Sequence, residues 1–269
     1  EAKSELTPGK QIRQDIVGNW EFKDVSFVYP GSDRPVLEKI NLTIKSGESV
    51  TLLGQTGSGK STVALLMARF YDPSSGEILL DGIPLKDWDI AWVRSFVGFV
   101  PQDVFLFSTS ISDNIRFGND QLDQEAIETA AKQADVYANI MEFPDGFETI
   151  LGERGITLSG GQKQRVSIAR ALAKNPKMLI LDDCLSAVDT HTEHTILENL
   201  KQVTKGKSSL IISHRVSSAR LANRIFVLAE GRIVESGTHD ELMKDQTLYF
   251  ELYQQQLNEE LQQVSTQSN

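Results

Sequence analysis

The stretch that decides the fold of this chain is Val50-Thr51-Leu52-Leu53-Gly54-Gln55-Thr56-Gly57-Ser58-Gly59-Lys60-Ser61-Thr62-Val63-Ala64. Positions 54–61 fit G-x-x-x-x-G-K-[ST], the phosphate-binding loop (P-loop) that joins a strand to a helix. Its glycines permit backbone angles that aim successive N–H groups at an anion, and the helix beginning at Lys60 adds its own free N–H groups. By the mechanics of this motif, Lys60 reaches the β and γ phosphates of a nucleotide and the Ser61 hydroxyl ligates Mg²⁺. A Gly-rich turn before an ordinary helix is the weaker alternative, because strand, loop and apolar helix all occur in order.

Composition limits the other roles of the chain. Its 269 residues carry a formal net charge of −10 and a pI of about 5.0. The charge argues against nucleic acid as a partner, since a duplex-binding protein presents a clustered basic face. The one cysteine, Cys184, rules out a disulfide framework and indicates a reducing compartment. No run of 18 apolar residues occurs, which predicts no membrane-spanning helix.

Strands and helices alternate around the P-loop. We predict strands at 20–29 (an exposed edge strand), 36–44, 50–53, 77–80, 96–101, 178–181, 209–212 and 224–228, with a hairpin at 230–234. We predict helices at 60–69, within 108–143 (best at 123–134), and at 159–173, 190–202 and 239–261. This order predicts an α/β P-loop NTPase core, in which helices cover both faces of a parallel sheet and the site lies at the carboxyl ends of the strands.

Additional segments complete the predicted organisation. An antiparallel β subdomain and a helical subdomain at about 103–175 are expected to be attached to the core. One domain spans 19–258 in this interpretation. Residues 1–18 are polar and contain Pro8 and Gly9, so we expect a linker from a preceding segment. The Gln-rich residues 259–269 are expected to form a frayed tail.

Two carboxylates follow the apolar strand at 178–181. Carboxylates on so apolar a strand are costly unless a cation or hydrogen bonds hold them. We therefore assign Asp182 to Mg²⁺, through a water, and place Asp183 opposite the γ-phosphate. Asp183 could instead cap the next turn.

Further candidates are weaker when each is taken alone. Ser159-Gly160-Gly161-Gln162 opens a helix that offers N–H groups and a hydroxyl to an anion without a Lys, and it is equally typical of a plain helix cap. Tyr29 ends a strand, where it could stack on a nucleobase or lie half-buried. His214 follows a strand, where it could hydrogen-bond a γ-phosphate or serve structure alone. Gln102 follows Pro101, where it could touch Mg²⁺ or the attacking water, or serve structure alone.

The joint order of these features resembles the nucleotide-binding domain of an ABC (ATP-binding cassette) transporter over about residues 20–257. The segments at 100–107 and 149–155 resemble exporters of that family. The resemblance rests on the P-loop, Gln102, Leu158-Ser159-Gly160-Gly161-Gln162, the strand with Asp182, Ser186-Ala187-Val188-Asp189, and His214.

The resemblance implies a mode of action. Two such domains enclose two ATP molecules, each between the P-loop of one chain and the Ser159–Gln162 signature of the other. It implies that Tyr29 stacks on adenine. Phosphate and Mg²⁺ are then held by Lys60, Ser61 and Thr62. Gln102 senses the metal and the attacking water. Ser159, Gly160 and Gly161 then reach the partner's γ-phosphate, Asp189 contacts the partner's P-loop, and His214 holds the γ-phosphate. It also implies attachment to transmembrane domains at the cytoplasmic face of a membrane. Residues 1–18 would then be the linker from a preceding membrane domain, and residues 102–117 would receive the short helices of the membrane domains.

The chain departs from this pattern at Asp183, where members of the family that hydrolyse ATP briskly usually carry Glu. Asp is one methylene shorter, so its oxygens fall about 1.5 Å short of the Glu position. A misplacement of about 1 Å can cost on the order of 10²-fold in rate. We therefore expect ATP binding with slow turnover, as in the weakened half of a heterodimeric exporter whose partner carries Glu. A regulatory clamp with negligible hydrolysis, and a homodimeric ATPase in which Asp183 is competent, remain as alternatives.

Overall fold

The computed structural model describes residue 6 and residues 9–119, 121–152, 157–185, 188, 190–219 and 222–267. Within those residues, the strands form a four-stranded antiparallel sheet in the order β2-β1-β4-β5 and a six-stranded sheet in the order β10-β9-β3-β8-β7-β6. The strands are β1 Trp20–Val28, β2 Pro35–Ile44, β3 Ser49–Leu53, β4 Ser75–Leu80, β5 Ile83–Pro84, β6 Val97–Val100, β7 Met178–Asp182, β8 Ser208–Ser213, β9 Arg224–Ala229 and β10 Arg232–Gly237.

The P-loop strand β3 lies inside the larger sheet. It pairs in parallel with β8 on one side and β9 on the other, and β7 pairs in parallel with β8 and β6. Leu53 at the end of β3 faces Ser213, and Asp182 at the end of β7 faces Ile212. The carboxyl ends of β3, β8 and β7 therefore meet at one edge of the sheet, where the sequence analysis places the site.

Helices cover this sheet and form the subdomain inserted between β6 and β7. The helices are α1 Lys60–Met67, α2 Ile90–Phe96, α3 Ile111–Arg116, α4 Gln124–Gln133, α5 Tyr137–Met141, α6 Gly160–Ala173, α7 Thr190–Val203, α8 Val216–Ala219, α9 His239–Asp245 and α10 Leu248–Gln267. The predicted helical region at 108–143 is three short helices, and the Ser110 and Asp123 side chains cap the first two. Ile115, Ile127 and Val166, each 0 % exposed, join this subdomain into one core.

The prediction that the first strand lies at an exposed sheet edge is wrong, because β1 pairs with both β2 and β4. The buried side chains of Phe22, Val25 and Phe27 alternate along it apart from one break at Lys23 and Asp24, and its pairing with β2 shifts register at three points. Alternation reports that one face of a sheet is buried, and an inner antiparallel strand shows it as clearly as an edge strand does. The sequence pattern therefore located the strand without locating its neighbours.

Three helices differ from the sequence expectation. The sequence analysis assigned no helix to the residues of α2 or α8. The Asp89 side chain caps α2 by accepting a hydrogen bond from Trp92 N at 2.9 Å. At the other end of the chain, α10 continues to Gln267, six residues beyond the expected end at 261. Gln is a good helix former, so a Gln-rich stretch is compatible with continued helix.

The described part of the expected linker lies against the domain. Ile12 N donates to Asp87 O at 2.9 Å, and Asp89 N donates to Ile12 O at 3.0 Å. Arg13 Nε donates to the Asp89 carboxylate at 2.7 Å, and Ile16 is only 4 % exposed. This segment is therefore fastened next to the start of α2.

Truncating the buried Trp88 should destabilise the domain. Its side chain is 0 % exposed within the core beneath the antiparallel sheet. We expect Trp88→Ala to lower the free energy of unfolding by about 3–5 kcal/mol, measured by urea denaturation, because it leaves a cavity that neighbours fill only in part. Trp88→Phe, which retains much of the volume, should cost clearly less. Equal stability of Trp88→Ala and the parent chain would contradict this placement.

Candidate functional site

The turn between β3 and α1 has the backbone that the P-loop motif predicts. Gly57 and Gly59 have φ angles of 84° and 104°, in the left-handed region that favours glycine. A Cβ on Gly54 would lie 2.2 Å from the carbonyl oxygen of Leu228, so the loop also needs glycine for close approach. The Ser58 hydroxyl is buried and, among the described residues, has no hydrogen-bond partner.

Lys60 lies inside this loop. Lys60 is 8 % exposed, and its Nζ donates to Gly54 O at 2.7 Å and to Gln55 O at 2.8 Å. Burial lowers the pKa of Lys60, while the nearby carboxylates of Asp183 and Asp182 act in the opposite direction. A bound anion would stabilise the charged ammonium in the same way. Lys60 is thus a buried cation beside a turn of N–H groups, which is the chemistry of a phosphate site.

Ser61 and Asp182 form the oxygen pair expected for a metal. The Ser61 hydroxyl donates to Asp182 Oδ1 at 2.9 Å, and Asp182 is 4 % exposed at the end of β7. Burial raises the pKa of Asp182, and Asp183 raises it further, whereas the Ser61 hydrogen bond and Lys60 lower it. A divalent cation would favour the ionised carboxylate, and hydroxyl and carboxylate oxygens are ligands suited to Mg²⁺. The residues present therefore fit this metal.

Asp183 and His214 contact each other. His214 Nδ1 lies 3.0 Å from Asp183 Oδ1 and 3.2 Å from Oδ2. Asp183 has a φ of 44°, and its N–H donates to Ile212 O at 2.9 Å. The sequence analysis named both residues but missed the contact between them. Both follow neighbouring strands whose ends are in register, so the strand order was the signal needed to find it.

One cavity of about 200 Å³ is lined by most of the residues that the sequence analysis predicts for the site. A second cavity, of about 170 Å³ between the end of α1 and β4, contains none of them. The first is lined by Val36, Thr56, Gly57, Gly59, Lys60, Ser61, Thr62, Gln102, Asp182, Asp183, Ile212 and His214. The structure therefore brings the P-loop, Gln102, both aspartates and His214 into one site.

Tyr29 lies beside this cavity and is not among its lining residues. Its hydroxyl is 3.0 Å from the Thr62 hydroxyl, and its ring packs edge-on against Phe27 and Tyr71 at centroid distances of 4.9 Å and 5.4 Å. The ring is half-buried. Tyr29 is thus linked to the first turn of α1, next to the loop that it was predicted to serve.

The predicted second phosphate-binding helix start lies outside the cavity. Ser159 Oγ accepts from Gln162 N at 3.2 Å, and Gln162 Oε1 accepts from Ser159 N at 2.9 Å, which is a capping box at the start of α6. Ser159 and Gly160 are exposed. The helix start is formed as predicted and faces outward. Asp189, Ser186, Ala187 and residues 153–155 lie outside the described residues.

A family model described as "ABC transporter" matches residues 37–186, more than half of the chain. The chain belongs to the ABC transporter family. It is 47 % identical over 256 residues to the "Mitochondrial potassium channel ATP-binding subunit" of Mus musculus, covering 93 % of this chain and 35 % of that protein. It is 45 % identical over 246 residues to "ATP-binding cassette sub-family B member 5" of Homo sapiens, covering 90 % of this chain and 19 % of that protein.

A solved structure gives the same assignment. The chain matches "Structure of a bacterial Atm1-family ABC exporter with ATP bound" with a TM-score of 0.90 and 37 % identity, over 96 % of this chain and 46 % of that one. It is an ABC nucleotide-binding domain of exporter type, and the predicted α/β P-loop fold with an antiparallel β subdomain is confirmed. This ABC chain spans about a third or less of the curated relatives named above. Within the described residues, no helix combines the length and apolarity needed to span a membrane.

Proposed function

We propose that this chain binds Mg·ATP in the cavity around Lys60 and works as the ATP-hydrolysing motor domain of an exporter. The observation that carries the proposal is the meeting, in one cavity, of the P-loop, the Ser61–Asp182 oxygen pair and the Asp183–His214 pair. The family match supports the same ligand. Within the chain, the domain extends over about 19–258, and the helical subdomain over about 103–175.

The polar residues in and beside the cavity take roles suited to their chemistry. Lys60, Ser58 and the N–H groups of Gly54–Thr62 bind the phosphates. Ser61, Asp182 (through a water) and Gln102 hold Mg²⁺, which neutralises phosphate charge when bound. Asp183 polarises the attacking water, and His214 holds the γ-phosphate. Tyr29 stacks on the adenine beside α1.

We further propose that the Ser159–Gln162 signature serves a second nucleotide-binding domain. Ser159, Gly160 and Gly161 stand at an outward-facing helix start, which leaves its N–H groups able to meet the phosphate of another chain. Asp189 contacts the P-loop of that chain. Transmembrane domains attach the pair to the cytoplasmic face of a membrane, and residues 102–117 receive their short helices. The aromatic side chains of Phe105 and Phe117, 67 % and 50 % exposed, suit such a docking role.

The site built on this chain's own P-loop is proposed to turn over slowly. The Asp183 carboxylate contacts His214 Nδ1, and the Asp side chain is one methylene shorter than that of Glu. General-base assistance contributes on the order of 10²–10⁴ in rate, so a displaced carboxylate loses part of that factor. The partner is then a non-identical domain with Glu at the matching position, and this chain lends it an intact signature.

Whether this chain supplies its signature to a non-identical partner can be tested by mixing the two domains. We expect the chain with a Glu-bearing partner to hydrolyse ATP about tenfold faster than the sum of the two alone, because the active site needs the Ser159 signature. Ser159→Arg in this chain should remove that gain while leaving its own ATP binding intact, because Ser159 lies outside the cavity. Thr157→Arg, two residues earlier and also at an exposed position, is the matched control. Additive rates in the mixture would contradict the heterodimer.

Two other functions remain distinguishable by the same assay. A regulatory clamp would dimerise on ATP, seen by light scattering, while turnover stays negligible in every mixture. A homodimeric ATPase would show full turnover without any partner. The presence of His214 against Asp183 supports residual hydrolysis over a pure clamp.

A further inference from the structure

His214 lies on the short connection between β8 and α8. Its imidazole contacts Asp183 on one side, with Nδ1 3.0 Å from the carboxylate. The backbone of the connection lies outside the hydrogen-bond ladders of strand and helix, so its polar groups need partners from elsewhere. Val216 is the first residue of α8, and the N–H groups of a first helical turn have no partner within the helix.

One side chain from the far end of the chain supplies both partners. Gln256, on α10, accepts a hydrogen bond from Val216 N at Oε1 (2.7 Å) and donates from Nε2 to His214 O at 2.6 Å. A primary amide carries an acceptor and a donor on one rigid plane, which a carboxylate or a hydroxyl does not. The two bonds therefore fix the orientation of the peptide units on either side of Arg215.

The two helices that this contact joins, α8 and α10, are each held by other contacts as well. Glu193 of α7, 2 % exposed, pairs with Arg215 and accepts from Ser218 Oγ at 2.7 Å, which joins α8 and the residue before it to α7. Helix α10 is held by Tyr249, which is 0 % exposed and whose hydroxyl lies 2.7 Å from His239 Nδ1. Gln256 is thus carried by a helix that is anchored independently of His214.

We propose that Gln256 is a positioning residue for His214: its amide holds the backbone so that the imidazole faces the cavity beside Asp183. The inference rests on the proposed nucleotide function of that cavity. Helix α10 then takes part in ATP hydrolysis, because a substitution at Gln256 changes the orientation of His214 on the γ-phosphate side of the site.

The test uses Gln256→Ala and Gln256→Glu in the full chain, with Gln254→Ala as the matched control. Glu keeps the acceptor for Val216 N but sets an oxygen against His214 O, so both substitutions release the same carbonyl. We expect kcat for ATP to fall about tenfold in both, with KM unchanged, because the phosphate-binding loop is untouched. In ¹⁵N-histidine-labelled chain without nucleotide, the His214 imidazole resonance, assigned by its loss in His214→Ala, should shift or split in both.

The outcomes separate the inference from the proposed function. Gln254→Ala should match the parent in kcat and in the resonance. The inference is overturned if the His214 resonance in Gln256→Ala stays at the parent position, or if it moves while kcat is retained, or if Gln254→Ala shows the same losses. Failure of the proposed function would instead appear as absent Mg·ATP binding by the parent chain, and the resonance would still report on positioning.

Discussion

Asp183→Glu should raise the ATPase rate of this chain about tenfold or more. Asp183 lies at the carboxyl end of the strand that carries Asp182 and lines the cavity with Lys60 and His214. Its carboxylate is held on the His214 side of the cavity by the contact at 3.0 Å. The longer side chain of Glu extends about 1.5 Å further and can place an oxygen nearer the attacking water. Steady-state phosphate release at saturating ATP measures the change.

Asp183→Asn is the matched control for this prediction. It keeps the size of the side chain and its ability to contact His214 but loses the carboxylate that polarises water. Phosphate release should therefore fall below that of the parent chain, while ATP binding is retained because Lys60 and Ser61 are unchanged. If the parent chain and Asp183→Glu hydrolyse ATP at equal rates, the own site is not weakened and the homodimeric ATPase becomes the better description.

The P-loop and Asp182 could be named as candidates from sequence because each follows a recognisable local pattern, whereas Gln102 and His214 were assigned from their place in the joint order of motifs. A P-loop is contiguous, and its glycines and Lys-Ser pair are specified by local backbone geometry. The polar residues at the ends of apolar strands were informative for a similar reason, since parallel strands present their carboxyl ends at one sheet edge. These features predict a site at the carboxyl ends of the parallel strands without any knowledge of which strands pair.

Contacts that depend on strand order or on distant segments could not be predicted in this way. The bond between Asp183 and His214 requires β7 and β8 to be neighbours. The pairing of β1 on both sides depends on β4, whose residues lie at least 49 positions after their partners in β1. Gln256 reaches His214 across 42 residues of chain. Periodicity reports which face of an element is buried and carries no information on the identity of the neighbour.

Lys60→Ala should weaken the binding of Mg·ATP about tenfold to a hundredfold, since a hydrogen bond to a charged group contributes about 1.5–3 kcal/mol. The ammonium group belongs to a residue that is 8 % exposed within the loop, and it already donates to two carbonyl oxygens, Gly54 O and Gln55 O. A triphosphate offers it stronger, charged acceptors, so affinity and turnover should both fall. Isothermal titration with ATP and Mg²⁺ measures the loss directly.

Lys201→Ala supplies the control, because Lys201 is exposed on α7 and lies outside the cavity. It changes net charge by the same amount, so a general electrostatic effect on ATP would appear in both variants and a specific one in Lys60→Ala alone. Lys60→Arg adds a second comparison, because it keeps the charge but replaces the compact ammonium that donates to Gly54 O and Gln55 O with a larger planar group. Undiminished affinity in Lys60→Ala, with the fold intact by circular dichroism, would remove the P-loop from the binding site. The assignments of Ser61 and Asp182 to the metal would fall with it, because both depend on phosphate being held beside Lys60.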